Sequence, residues 1–345
     1  MRHTTKHARA AILLAIPAVL AGCETPRAAE RADARPIEAP AGRGEPAQAV
    51  NAPAIVAENT SVTRPTREPR QGAQVPSLTP SVTFPPSDGT GAGTSKQHLE
   101  LFELLVPGTT SQLVLVPIPA AAESHPDGSR VALSPFLAST TEITWDMYDA
   151  FVFAMDRAET EKDPPDAFAR PSKPYITMDR GFGHAGYPVI SVSFRGASEF
   201  CRWLSARTGQ RFRLPTEAEW QHAARGGLVN STAAQNPDPA ALDAAAWYQA
   251  NSKLRGRATT RPVGKKAANG YGLHDVQGNA AEWTVGPDGK GVLRGGSFKE
   301  SAASVGVDAR VPDDPAFNAT DPQIPKSVWW LADGPFAGFR VVCDP

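Results

Sequence analysis

Apolar positions recur at three- and four-residue steps in three stretches of the chain and alternate with polar ones in several others. In "TWDMYDAFVFAMDR", Trp145, Tyr148, Phe151, Val152 and Met155 fall on one face, which predicts a helix with Thr144 as its N-cap. "RGASEFCRWLSARTGQ" predicts a second amphipathic helix, stopped at Gly209. "FRLPTEAEWQHAARGG" predicts a short third one, with Pro215 at an N1-like position, Thr216 as a cap and Gly226–Gly227 as the stop. "SQLVLVPIPA" alternates as a strand does, "SRVALSPFLASTTEIT" continues in that style, and "HLELFELLVPG" suits a short strand or a helix. "YPVISVSF" reads as a buried strand. Beyond Gly227, Gly, Pro, Asn and Asp separate short apolar runs, which predicts loops and short strands with little regular structure. "AAWYQANS", "AAEWT" and "SVWWLADGPF" offer tryptophans as pins for those loops.

Two segments upstream do not belong to this pattern. "MRHTTKHARA" carries Arg2, Lys6 and Arg9 ahead of the apolar run "AILLAIPAVLAGC", a secretory signal too short to span a bilayer. Its end, "LAGC", matches a bacterial lipobox, so residues 1–22 read as a lipoprotein signal and Cys23 as the lipidated mature N-terminus. The alternative is an ordinary cleaved signal with an incidental Cys. Acyl chains on Cys23 would hold the protein to a membrane at about 0.8 kcal/mol per buried methylene. Glu24, rather than Asp, follows the cysteine, which makes the outer membrane of a Gram-negative host the expected address. Residues 23–95 are rich in Pro, Ala, Gly and Thr with a single aromatic, Phe84, and read as a disordered, semi-rigid tether. The folded domain is expected over 96–345.

Composition then narrows the function. The 345 residues carry a formal net charge of -1, with both signs intermixed, so nothing steers the chain to nucleic acid. Export permits a disulfide between Cys201 and Cys343, yet two cysteines this far apart leave pairing open. Cys201, inside "SEFCRWL", reads as a small buried apolar residue. His98, His125, His184, His222 and His274 are scattered singly, without the spacing of a metal site.

"PFLASTTEITWDMYDAF", "YPVISVSFRGASEFCRWLS", "RLPTEAEWQHAARGG", "NGYGLHDVQGNAAEWT", "LRGGSF" and "AGFRVV" stand in the order found in the formylglycine-generating, sulfatase-modifying-factor family, which the chain resembles from about Leu113 to Cys343. The resemblance implies an α+β, C-type-lectin-like fold with low regular secondary structure. In the family's oxidase a pair of cysteines past "RGGS" binds copper; their places here fall near Ala302 and Val307, and neither residue can ligate copper(I), which selects soft thiolates. No copper is therefore expected. Sulfoxide-synthase relatives take iron-binding histidines from a separate helical domain. A branch resembling the pyoverdine-maturation oxidoreductase works without the copper cysteines and keeps an enzymatic reading open.

The resemblance also implies a structural calcium. The loop "HDVQGNAAEWT" matches the family's calcium loop at Asp275, Gly278, Ala280 and Glu282, a hard-oxygen set that suits this ion at about 10⁻⁴ to 10⁻³ M. The alternative is that Asp275 and Glu282 only bond backbone amides. The family's second site loses its acidic loop in "ANSKLRGRATTRPVG", after Asn251. Lys299, Glu300, Ser301, Asp308 and Arg310 would line the groove that receives the oxidase's peptide. Arg213 and Glu217 are expected to pin a helix to the core, and Trp329 and Trp330, beside Asp333, to anchor a loop or stack on a ligand. Three readings follow: an extracytoplasmic, lipid-anchored module binding a peptide, protein or glycan; a cysteine-independent oxidoreductase or sulfatase-maturation relative; and a structural envelope component.

Overall fold

In the computed structural model the described residues are 101–124, 130–158, 170–171, 173–174, 176–227 and 238–345. The signal, Cys23, the tether, His98 and His125 lie outside them. Alternation in the first half produces strands β1 (Phe102–Leu105), β2 (Gln112–Ile118), β3 (Ala121–Ser124), β4 (Arg130–Leu133) and β5 (Phe136–Ser139). The last strand of the chain, β13 (Val342–Asp344), inserts between β5 and β6 (Arg211–Arg213), giving a five-stranded sheet ordered β1-β2-β5-β13-β6. All its pairings are antiparallel.

The helices follow their capping chemistry. Helix α2 (Phe194–Thr208) starts where the Ser193 hydroxyl accepts from the Gly196 N–H, and stops at Gly209, whose φ of 70° suits a residue without Cβ. Helix α3 (Glu217–Arg225) has a full capping box between Thr216 and Glu219, so Pro215 precedes the cap instead of standing at N1. Helix α1 (Trp145–Val152) is shorter than the periodicity predicts. Ala154 turns to φ 50° and the Met155 N–H reaches back to the Ala150 carbonyl, so Met155 leaves the buried face and is 48% exposed.

Two expectations change. Residues 188–192 are buried but form only isolated bridges, because Ser191 takes φ 61° and breaks the extended run. The second half also carries more regular structure than its Gly and Pro content suggests: helix α4 (Pro239–Ala245), the ribbon β7 (Lys253–Leu254) with β8 (Arg257–Ala258), and a four-stranded sheet. That sheet runs β11 (Gly306–Pro312), β10 (Gly291–Gly295), β9 (Ala281–Val285), β12 (Ala337–Gly338), with β12 parallel to β9. Trp283 pins it to the core, donating its indole N–H to the Val192 carbonyl at 2.8 Å. Trp329 and Trp330 are 2% and 3% exposed and pack in the same core, as loop anchors do. Among the described residues, no helix is long and apolar enough to cross a membrane.

Candidate functional site

The expected groove residues lie on the loop after β10 and on β11. Lys299, Ser301, Asp308 and Arg310 are exposed, while Glu300 is half-buried and committed: its carboxylate accepts from the Ser297 N–H at 2.7 Å and the Ser297 hydroxyl at 2.6 Å. The Lys299 ammonium lies 4.6 Å from the Phe336 ring centroid. Arg310 donates to Glu217 at 2.6 and 3.1 Å, and buried Arg294 reaches the same carboxylate at 3.2 Å and the Val307 carbonyl at 2.7 Å. Glu217 therefore ties α3 to β10 and β11. Arg213 pairs with Glu219 (2.7 and 2.8 Å) and Asp344 (3.0 Å), so each of the two "RLPTEAEW" residues pins a different neighbour.

The two residues near the expected cysteine places sit in different surroundings. Ala302 is exposed on a turn, whereas Val307 is 1% exposed and packed with Trp220 and Val342 in the second apolar cluster. The two cysteines of the described residues are free and buried on α2 and β13. Burial pushes the Cys343 thiol up to about 11 and raises Cys201 further, so neither is a thiolate at neutral pH.

The calcium positions converge on a buried guanidinium. Arg340, 2% exposed, donates to both oxygens of Glu282 at 2.5 and 2.6 Å, and the Trp220 indole N–H reaches Glu282 at 2.6 Å. Asp275 accepts from the Gly264 N–H at 2.6 Å through Oδ2, while its buried Oδ1 has no hydrogen-bond partner. Sequence reasoning missed a third acid, Glu142, which accepts from Asn279 Nδ2 and the Ala280 N–H, both at 2.8 Å. Burial first, then the Asp275 and Glu282 carboxylates, hold Glu142 well above the usual carboxylate range, and burial raises Asp275. Three carboxylates facing one guanidinium leave a formal charge of −2 when all are ionised, at sites no more than 2% exposed. Such a charge is tolerated only with protons or a cation to balance it. Of these acids' oxygens only Asp275 Oδ1 lacks a partner among the described residues, whereas both Glu282 oxygens are taken. Among the described residues no group of three His, Cys, Asp or Glu side chains is arranged to hold a metal, so any such site depends on carbonyls. A signal was available for Arg340, a charge inside the apolar run "FAGFRVV", whereas Glu142 follows Ser139, Thr140 and Thr141 and carried none.

The three described histidines are separate. His222 Nε2 meets the Pro119 carbonyl at 3.1 Å and His274 Nδ1 the Lys266 carbonyl at 2.8 Å. His184 bridges Asp149 (2.8 Å) and Asp179 (3.3 Å) beside a cavity of about 350 Å³ that none of the groove residues lines.

Residues 101–344 match the family described as the sulfatase-modifying factor enzyme 1-like domain. The formylglycine-generating enzyme of Mycobacterium tuberculosis is 40% identical over 107 residues, covering 29% of this chain and 34% of that protein. That of Streptomyces coelicolor is 34% identical over 142 residues, covering 34% and 43%. The chain thus spans less than half the length of these curated relatives. Among solved structures, Treponema denticola variable protein 1 aligns with a TM-score of 0.52 at 25% identity, covering 71% of this chain and 99% of that one.

Proposed function

The chain belongs to the sulfatase-modifying factor enzyme 1-like family, and we propose that within it this protein is a binding module and not a copper-dependent oxidase. One observation carries the reading: the residues near the expected cysteine places, an exposed Ala302 and a core-packed Val307, are not thiols, and the two cysteines among the described residues are buried elsewhere. The exposed Lys299, Ser301, Asp308 and Arg310, braced from below by Glu217 and Arg294, supply donors and acceptors of both signs. That surface suits a polar peptide, protein or glycan. Lipidation of Cys23 and the Pro-rich tether would present it outside the cytoplasm. Binding of peptide and glycan arrays by wild type and by Lys299→Ala/Asp308→Ala tests this. Both positions are exposed, so the variant should keep its melting temperature and lose at least tenfold in affinity for the retained ligand. Equal binding would contradict the assignment of the surface, and no ligand in either array would favour a structural envelope component.

Calcium belongs to the same proposal. We place it at Asp275 with the carbonyls of Gly278 and Ala280, and with Glu282 as a counter-charge held by Arg340. The unpartnered Asp275 Oδ1 supports this site, and the ion would neutralise the buried acids. Calorimetric titration should show saturable binding in wild type and none in Asp275→Asn. Heat of equal size in both proteins would remove calcium from this loop.

A further inference from the structure

Both ring nitrogens of His184 face carboxylates: Nε2 lies 2.8 Å from Asp149 Oδ2, and Nδ1 lies 3.3 Å from Asp179 Oδ2. A neutral imidazole has one N–H and one lone pair. In either tautomer, one of the two contacts would set a lone pair against a carboxylate oxygen. Only the imidazolium donates to both. The ring also stacks on Trp145, with centroids 5.2 Å apart and planes at 19°, and an indole face attracts a cation. The geometry by itself calls for the protonated ring.

The two acids belong to different parts of the chain. Asp149 is on α1, whereas Asp179 stands in the loop 177–187 with His184 itself. That loop is a run of tight turns: Arg180, Gly181, Gly183 and Gly186 all have positive φ. The Phe182 N–H reaches the Asp179 carbonyl at 2.9 Å, the Tyr187 N–H reaches the His184 carbonyl at 3.0 Å, and Asp179 Oδ1 accepts from the Gly181 N–H at 2.9 Å. At its end the loop is tied to the first turn of α1, where Trp145 donates to the Tyr187 carbonyl and Asp146 accepts from the Gly186 N–H. His184 makes the further link, from the turns to the middle of the helix. Trp145 and Asp149 on one side, and Met178, Asp179 and His184 on the other, line the cavity of about 350 Å³.

The neighbouring charges leave this link to the two acids. Asp146 is bonded to Gly186, the Lys173 ammonium lies 5.5 Å from the Phe153 ring centroid, and Arg180 donates to the Leu331 and Ala332 carbonyls at 3.0 and 2.7 Å. Arg257 lies over the Phe182 ring and Arg261 over that of Trp247, while Asp333 accepts from Thr320. Burial opposes the charge on His184, but Asp149 and Asp179 outweigh it and hold the ring above the ordinary imidazole value. Burial raises the Asp149 carboxyl, which sets the acid limit of the link.

We propose that His184 is a proton-operated clasp between the 177–187 loop and α1: the imidazolium locks the loop by donating to Asp149 and Asp179 together, and the neutral ring gives up one of them and loosens that wall of the cavity. The clasp shares no residue with the Lys299–Arg310 surface and does not rest on that reading. The folded chain holds this proton more tightly than the unfolded one. The clasp is therefore complete below the ordinary imidazole value, about 6.5, and is lost as pH rises through the higher value of His184 itself.

Histidine NMR on the purified chain, with His184 identified by its absence from the spectrum of His184→Gln, should give a midpoint above about 6.5. That midpoint should fall in Asp149→Asn and in Asp179→Asn. Amide exchange of the 177–187 segment, corrected for the intrinsic effect of pH and referred to α2, should be at least threefold faster at about pH 8.5 than at about pH 6. His184→Gln has no proton to lose there, so its corrected exchange should be the same at both pH values. A midpoint at or below the ordinary value, corrected exchange in wild type that ignores pH, or an undiminished pH response in His184→Gln would overturn the clasp. The His184 side chain is 46% exposed, so the variant should fold. If it does not, the wild-type midpoint, its fall in Asp149→Asn and the wild-type exchange still decide the matter.

Discussion

Arg340→Met is expected to lower the stability of the folded domain by about 3–5 kcal/mol, the cost of leaving a buried charge without its partner. The guanidinium is the only cation bonded to Glu282 among the described residues, and it also donates to the carbonyls of Ser139 (3.0 Å) and His274 (2.8 Å). It therefore links β5, the loop before β9, β9 itself and the run into β13. A methionine of similar length removes the charge while keeping most of the volume, so the loss reads electrostatics more than packing. Glu282, Glu142 and Asp275 would be left as three buried acids without their guanidinium partner. Urea denaturation of both proteins at pH 7 gives the difference directly. Glu282→Gln in the Arg340→Met background should recover part of the loss, since it removes one of the stranded charges. A change below about 1 kcal/mol in the single variant would mean that the acids are balanced by something other than Arg340.

Gly278→Ala should be the second severe change, and it reports on the loop that organises the acids. Gly278 has φ +79°, and a Cβ there would lie 2.1 Å from the Trp247 carbonyl oxygen. That oxygen is already the acceptor for the Asn279 N–H at 2.8 Å, so it cannot retreat without losing the bridge between the Trp247 and Gly278 strands of chain. Left-handed strain alone costs a non-glycine residue about 1–3 kcal/mol, and the overlap adds to it. Asn279, next in sequence at φ 54°, holds Glu142 and accepts from the Arg261 N–H at 2.8 Å, so displacement spreads into the acid cluster. The expected outcome is a melting temperature lower by at least 10 °C, given that about 1 kcal/mol shifts a domain of this size by a few degrees. A drop of less than 3 °C would show that the loop yields at Trp247, and that its tight geometry is not what places the acids.

How much of this was legible from the chain depends on the range of the interaction. Helices α2 and α3 could be read because their caps and stops, Ser193 with Gly209 and Thr216 with Gly226, lie within the same short segment as the apolar face. The end of α1 and the missing strand at 188–192 were set by single residues, Ala154 and Ser191, in positive-φ conformations that neither residue type announces. The sheet β11-β10-β9-β12 was under-read for a different reason. "GVLRG" is buried at every position, so it has no alternation, and β12 is two residues long. The site divides in the same way. Asp275 and Glu282 are neighbours in a recognisable loop, but their partners Glu142 and Arg340 are brought in by the fold from far along the chain. Glu300, read as a groove residue, is instead used to cap the turn at Ser297, a role that requires knowing the turn.

The central claim is that the scaffold has been kept without the thiolate pair that binds copper. It is tested most directly by incubating the purified domain with copper(I), oxygen and a sulfatase-type cysteine peptide, and following the thiol and any aldehyde by mass spectrometry. The account predicts that the peptide keeps its thiol apart from the slow disulfide formation seen in a protein-free control. Catalytic conversion of the cysteine to an aldehyde, proportional to protein concentration, would contradict it.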